Sequence, residues 1–163
     1  MSIFTLVPGS VTFVLPCRKK ETAAQNAVQQ PLFIRCKIHD AAFISSVGLW
    51  CSPWPEQALR ANIHCQISLA LNRIYTEWYP SKGYTFNITN STSYDQYYVH
   101  GRTVFEVMVR ITDDIFNTYL RKSGTVNPYY SEYCDGKSVT CPGLKQWGTV
   151  ALANNGRLSL IHI

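Results

Sequence analysis

The sequence predicts a single α+β domain, with two main helices packed on short strands. Three observations lead there. A length of 163 residues suits one domain. Apolar residues make up 46% of the chain and charged residues 15%, enough to bury a core and too little charge for disorder. Two long stretches place apolar residues at three- and four-residue steps, and shorter runs between them alternate or turn.

Residues 1–51 are the least coherent part. Val11, Phe13 and Leu15 alternate with their neighbours and predict a strand, 21–30 is a polar loop or short exposed helix, and 33–38 is a second strand. Ser52-Pro53-Trp54-Pro55-Glu56 is a helix start: proline suits the first turn, and an acid there favours the positive end of the helix dipole. Leu59, Ile63, Ile67, Leu71, Ile74 and Trp78 then form a stripe that predicts a helix running to Tyr79, where Pro80 stops it. The polar stretch 81–95 holds a short strand over 84–88. A second helix is expected over 103–122, with Val104, Met108, Ile111, Ile115 and Tyr119 facing inward. Arg121 and Lys122 sit in its last turn and Gly124 is its stop. Residues 128–133 predict a strand, 134–143 a turn-rich loop, and 146–155 a last short helix ending at Gly156.

The net charge is +5 and the isoelectric point about 8.9, but the only tight basic run is Arg18-Lys19-Lys20. That is too short for a nucleic-acid footprint, and no nucleic-acid partner is expected. No segment of ~20 apolar residues offers a membrane span. The apolar residues 1–16 lack a basic start and contain Pro8 and Gly9, so an exported protein would need its signal upstream. Six cysteines, Cys17, Cys36, Cys51, Cys65, Cys134 and Cys141, permit three disulfides and show no C-x-x-C metal spacing. Nucleophile-elbow, zincin and P-loop motifs are missing from the sequence. Ten Tyr and four Trp suit either a packed core or surfaces that stack on flat ligands such as sugars.

Three stretches carry a resemblance. The first is Trp54-Pro55-Glu56-Gln57-Ala58-Leu59-Arg60-Ala61-Asn62. The second is the run from Ile88 to Tyr98, centred on Tyr94-Asp95-Gln96-Tyr97-Tyr98. The third is Tyr133-Cys134-Asp135-Gly136, then Gly143-Leu144-Lys145-Gln146-Trp147-Gly148, then Leu152-Ala153-Asn154-Asn155-Gly156. In this order and spacing, over residues 52–156, they resemble the SpoIID/LytB (stage II sporulation protein D-like) family of bacterial cell-wall proteins. The resemblance implies a place in the cell envelope or outside the cell. It also implies peptidoglycan glycan strands as the partner, and possession of either lytic transglycosylase-like chemistry or a modifying action on a wall amidase. In such a cleavage one Glu protonates the glycosidic oxygen and then takes a proton from the sugar's own hydroxyl, which demands a raised pKa. Ordinary glycosidases use two carboxyl groups instead.

The chain also departs from that pattern. Where the family carries its presumed catalytic Glu, residues 45–52 hold no carboxylate, and Leu49 falls near the expected position. The nearest acids are Asp40 and Glu56. Glu56 is thus a weak catalytic candidate, with helix-dipole stabilisation as the competing reading. His64-Cys65-Gln66-Ile67-Ser68 replaces another family segment, and the tail 157–163 is atypical. With the poorly matched 1–51, this reads as a damaged or incomplete copy. The substrate-binding candidates are Asp95, Gln96 and Tyr98 in the polar loop, with Gln146 and Trp147 at the last helix; a turn cap and core packing are their respective alternatives. Cys134 and Cys141 bracket a loop and are expected as a disulfide or free thiols ahead of a metal site, because no His lies between them. No cofactor is expected. A non-catalytic wall-binding or amidase-modifying module is the first alternative function, and a structural spore or envelope protein the second. His64 is expected as a packed or exposed helix residue in place of an acid/base group, and His39 and His100 have no nameable chemical partner.

Overall fold

The computed structural model describes residues 4–8, 54–97 and 105–159. In chain order these form β1 (Phe4–Pro8), α1 (Glu56–Tyr75), a 3-10 turn (Pro80–Lys82), α2 (Glu106–Ile115), β2 (Thr118–Lys122), β3 (Tyr133–Cys134), β4 (Leu144–Lys145) and α3 (Gln146–Asn154). The architecture is α+β, with helices packing on short strands. The strands expected over 11–15 and 33–38, and the polar segment 21–30, lie outside the described residues.

α1 is enclosed on both sides. Leu59, Ile63 and Ile67 pack with Trp54, Ala58, Met108, Ile111 and Ile115, which seats α1 against α2 and α3. Its other side carries Cys65 into a second cluster with Leu120 of β2 and Leu144 of β4. Burying a side chain of this size fully is worth roughly 1.5–3 kcal/mol.

A helix so enclosed must find partners for its polar side chains. Asn62 Nδ2 donates to Thr149 Oγ1 of α3 at 2.9 Å. Ser68 Oγ accepts the Leu120 N–H of β2 at 2.8 Å. Ser131 Oγ donates to the Cys65 carbonyl at 2.6 Å, and Asn72 Nδ2 to the Pro128 carbonyl at 2.8 Å. The polar run 64–68 is therefore the part of α1 that bonds to β2 and to the approach to β3.

α1 ends at Tyr75, before the expected Tyr79. The Trp78 N–H reaches the Arg73 carbonyl at 3.2 Å and the Glu77 N–H reaches the Ile74 carbonyl at 3.1 Å, which closes the helix in a Schellman turn. Glu77 takes the left-handed position, with φ 48°, that glycine normally fills. The stripe is cut short accordingly: Leu71 and Ile74 are half-buried and Trp78 is 43% exposed.

The expected helix over 103–122 divides. Met108, Ile111 and Ile115 face inward from α2 as the spacing predicts, while Val104 lies outside the described residues. Thr118–Lys122 is a strand instead, antiparallel to β1, with Phe4 opposite Lys122 and Pro8 opposite Thr118. Its β-branched and aromatic residues suit a pleated surface. The partner lies more than a hundred residues upstream, beyond the reach of local periodicity. Tyr119 is half-buried on this strand, and Gly124 follows in a turn closed by the Thr125 N–H on the Lys122 carbonyl at 3.1 Å.

No strand forms over 84–88. Over 128–133, pairing is limited to a bridge between Pro128 and Arg121 and to Tyr133 at the start of β3. β3 runs parallel to β4, with Tyr133 beside Leu144 and Cys134 beside Lys145. α3 matches its expected span. It closes in a Schellman turn with Gly156 at φ 73°.

His64 joins α1 to β2. Its Nδ1 lies 2.8 Å from the Arg60 carbonyl, which can only accept, so Nδ1 carries the proton. Nε2 lies 3.1 Å from the Thr118 hydroxyl, which itself donates to the Ile115 carbonyl at 2.7 Å. Burial holds the His64 pKa below its ordinary 6.5, helped by the nearby charge of Arg60 and opposed by the Arg60 carbonyl.

Two expectations follow from these contacts. Glu77→Gly should raise the unfolding free energy by about 1 kcal/mol in a urea titration, because glycine accepts the left-handed position without strain. A folded state that disfavours protonated His64 binds fewer protons than the unfolded chain. Its contribution is complete above about pH 6.5 and falls as pH drops toward the lower folded-state value. Thermal melts of His64→Gln across that window should show a flatter pH dependence than the parent.

Candidate functional site

The polar loop after α1 is organised by one carboxylate. The Asp95 side chain is fully buried (0% exposed) and Oδ1 accepts from Arg73 Nε at 2.6 Å. Oδ2 accepts from the Tyr79 hydroxyl at 2.6 Å, the Thr89 N–H at 2.9 Å and the Thr89 hydroxyl at 2.6 Å. Burial pushes this carboxyl upward, but the hydrogen bonds from Thr89, Tyr79 and Arg73 outweigh it and hold the pKa below the ordinary value. The Arg73 guanidinium lies 4.7 Å from the Trp78 ring centre and 4.5 Å from that of Tyr130, and donates to the Tyr94 carbonyl at 3.0 Å. Asp95 thus fastens the loop to α1, and its oxygens are occupied by the protein itself.

Gln96, the next residue, is in the opposite condition. It is only 3% exposed; Oε1 accepts from the Tyr133 hydroxyl at 3.2 Å, and Nε2 is buried with no partner among the described residues. A buried donor left unmet costs about 1–3 kcal/mol, so the amide is poised for an acceptor. Tyr97 beside it is exposed, and Tyr98 lies outside the described residues.

The Tyr133 contact leads into the third motif stretch. β3 pairs with β4, and β4 runs directly into α3, which carries Gln146 and Trp147. Gln146 is buried and Trp147 half-buried, its ring meeting Trp54 edge-on at 5.1 Å. The three stretches touch in two pairs: Trp54 of the first meets Trp147 of the third, and Gln96 of the second meets Tyr133 of the third.

Cys134 and Cys141 form a disulfide, with Cα atoms 6.0 Å apart. Between them Asp135 is held at a pKa of about 2 by the N–H groups of Val139, Lys137 and Ser138. Among the described residues no group of three or more His, Cys, Asp or Glu could hold a metal. Cys65 is buried, and desolvation pushes its thiol up to about 12, so it is inert.

Glu56 is tied into an ion-pair network across α1 and α2. Its oxygens accept from Arg110 Nη2 and Arg60 Nε, each at 2.9 Å, and Arg60 also bonds Asp114. The hydrogen bonds from Arg110 and then Arg60 lower its pKa, the reverse of what a general acid needs. Glu56 sits in the first turn of α1, where two arginines occupy its carboxylate.

Sequence reasoning missed Arg73, Tyr79, Tyr133 and Lys137. The first three are ordinary helix or loop residues by pattern, and only the fold brings them to Asp95 and Gln96. His39 and His100 lie outside the described residues.

No family model, no curated protein and no solved structure matches the chain. Among the described residues no helix is long and apolar enough to cross a membrane.

Asp95→Ala should cost about 3–5 kcal/mol in chemical denaturation, because it leaves Arg73 charged and buried without its partner. The Asp95 contribution is complete above the carboxyl's ordinary pKa of 3.8 and is lost as acid protonates it. The acid limb of a stability–pH profile should be shallower in the variant.

Proposed function

We propose that this chain binds peptidoglycan glycan strands in the bacterial envelope, as a non-catalytic relative of SpoIID/LytB proteins whose intact members remodel the wall. The observation that carries the proposal is that the third motif stretch touches both of the others, Tyr133 bonding Gln96 and Trp147 meeting Trp54. The unmet amide donor of Gln96 suits a sugar oxygen, and the partly exposed Trp147 indole suits a sugar's C–H groups. Gln146 stands on the same strand-to-helix junction as Trp147. Asp95 serves this reading indirectly, by fixing the backbone from which Gln96 projects.

The absence of chemistry in the proposal comes from Glu56, which is held as a carboxylate by two arginines. A disulfide in the third motif agrees with a location outside the reducing cytoplasm. An amidase of the wall is the second partner that the resemblance suggests.

Purified sacculi, sedimented with the protein, supply the test. The parent chain should co-sediment, and Gln96→Ala should weaken binding about tenfold while its circular dichroism stays unchanged. A parent chain that stays in the supernatant rejects the reading. Release of anhydro-sugar ends during the incubation rejects its non-catalytic half.

A further inference from the structure

The loop between β3 and β4 is closed on itself and docked on the start of α3. The Cys134–Cys141 disulfide joins positions seven apart. Inside it, Asp135 accepts the N–H groups of Lys137, Ser138 and Val139, and the Gly136 N–H reaches the Val139 carbonyl at 3.1 Å. Outward, the Asp135 carbonyl accepts the Trp147 N–H at 3.1 Å. Gly136 lies so close to β4 that a Cβ there would stand 2.7 Å from the Lys145 Cβ. The Lys137 ammonium sits 3.3 Å from the centre of the Trp147 ring, a cation–π contact.

Residues 137–140 are exposed, so this segment buries little surface of its own to hold its shape. What holds it is the covalent closure and the turn that the closure brings together. Both cysteines are only partly buried, which leaves the bond within reach of a reductant.

We propose that the Cys134–Cys141 disulfide is a redox clasp that governs how the Trp147 ring is presented. In the oxidised form the loop is closed, Asp135 holds the Trp147 backbone and Lys137 lies on the indole. A dithiol reductant supplies two electrons and two protons. The S–S bond breaks, two thiols form on the chain, and the dithiol leaves as its own disulfide. The loop ends then part, and Lys137 and the Asp135 carbonyl leave Trp147. The ligand consequence rests on the glycan reading above: the oxidised form is the binding form, because it is the one in which the Asp135 carbonyl holds the Trp147 backbone in place.

The test is fluorine NMR of the chain labelled with fluorotryptophan, the Trp147 resonance being assigned by its loss in Trp147→Phe. Dithiothreitol should move the Trp147 resonance and leave that of Trp78, which follows the other end of a helix about 30 Å long, in place. The double variant Cys134→Ser/Cys141→Ser should start at the moved position and not respond to reductant, which separates this bond from the other cysteines. A Trp147 resonance that does not move overturns the proposal, since the bond is then inert. Joint collapse of all tryptophan signals also overturns it, since the bond is then a staple for the whole fold. Sacculus binding should fall about tenfold on reduction. Binding by neither form, with the resonance still moving, refutes the glycan reading and leaves the clasp standing.

Discussion

Everything in this fold is registered on a helix that passes through the core carrying polar side chains. α1 pairs most of them, because an unmet polar group inside a protein costs as much as several apolar contacts supply. Asn62 therefore fixes α3, His64 and Ser68 fix β2, Asn72 fixes the approach to β3, and Arg73 fixes the loop that follows. Apolar packing on both sides provides the driving force, but it is non-directional. The hydrogen bonds decide which turn of α1 each neighbour occupies.

The same rule separates the two neighbouring residues at the centre of the site. Asp95 and Gln96 are both buried polar groups on one loop. Asp95 has its oxygens filled by Arg73, Tyr79 and Thr89, whereas among the described residues Gln96 has only its oxygen engaged, by Tyr133. One makes the loop rigid and the other leaves it a free donor. The division suits recognition, where a contact must be held in place before the ligand arrives. Glu56, spread across two arginines, belongs with Asp95 as a group whose bonding capacity serves the fold.

Much of the architecture was legible along the chain, and the failures have physical causes. The inward positions Leu59, Ile63, Ile67, Met108, Ile111 and Ile115 followed from helical spacing alone. The two Schellman turns differ in an instructive way. Gly156 announces the end of α3, while Glu77 occupies the same left-handed position without any local mark, so α1 was taken four residues too far. The basic pair and glycine at 121–124 imitate a helix terminus, yet they close a strand whose partner is β1. At the site, the pairing of Cys134 with Cys141 was among the expected outcomes. Arg73 and Tyr133 were not visible, because a buried ion pair and a hydroxyl–amide contact across tens of residues leave no periodic trace.

The pairing of β1 with β2 has a consequence for how the chain comes into being. During synthesis residues 4–8 leave the ribosome long before residues 118–122 exist. For that interval the first strand lacks its β2 partner, and an unpaired strand edge is the kind of surface that recruits the wrong chain. The central helix and its first partners can assemble in the meantime from contacts closer in sequence. Pairing of β1 with β2 waits on residues 118–122, and a nascent chain stalled before residue 118 would carry residues 4–8 without that partner.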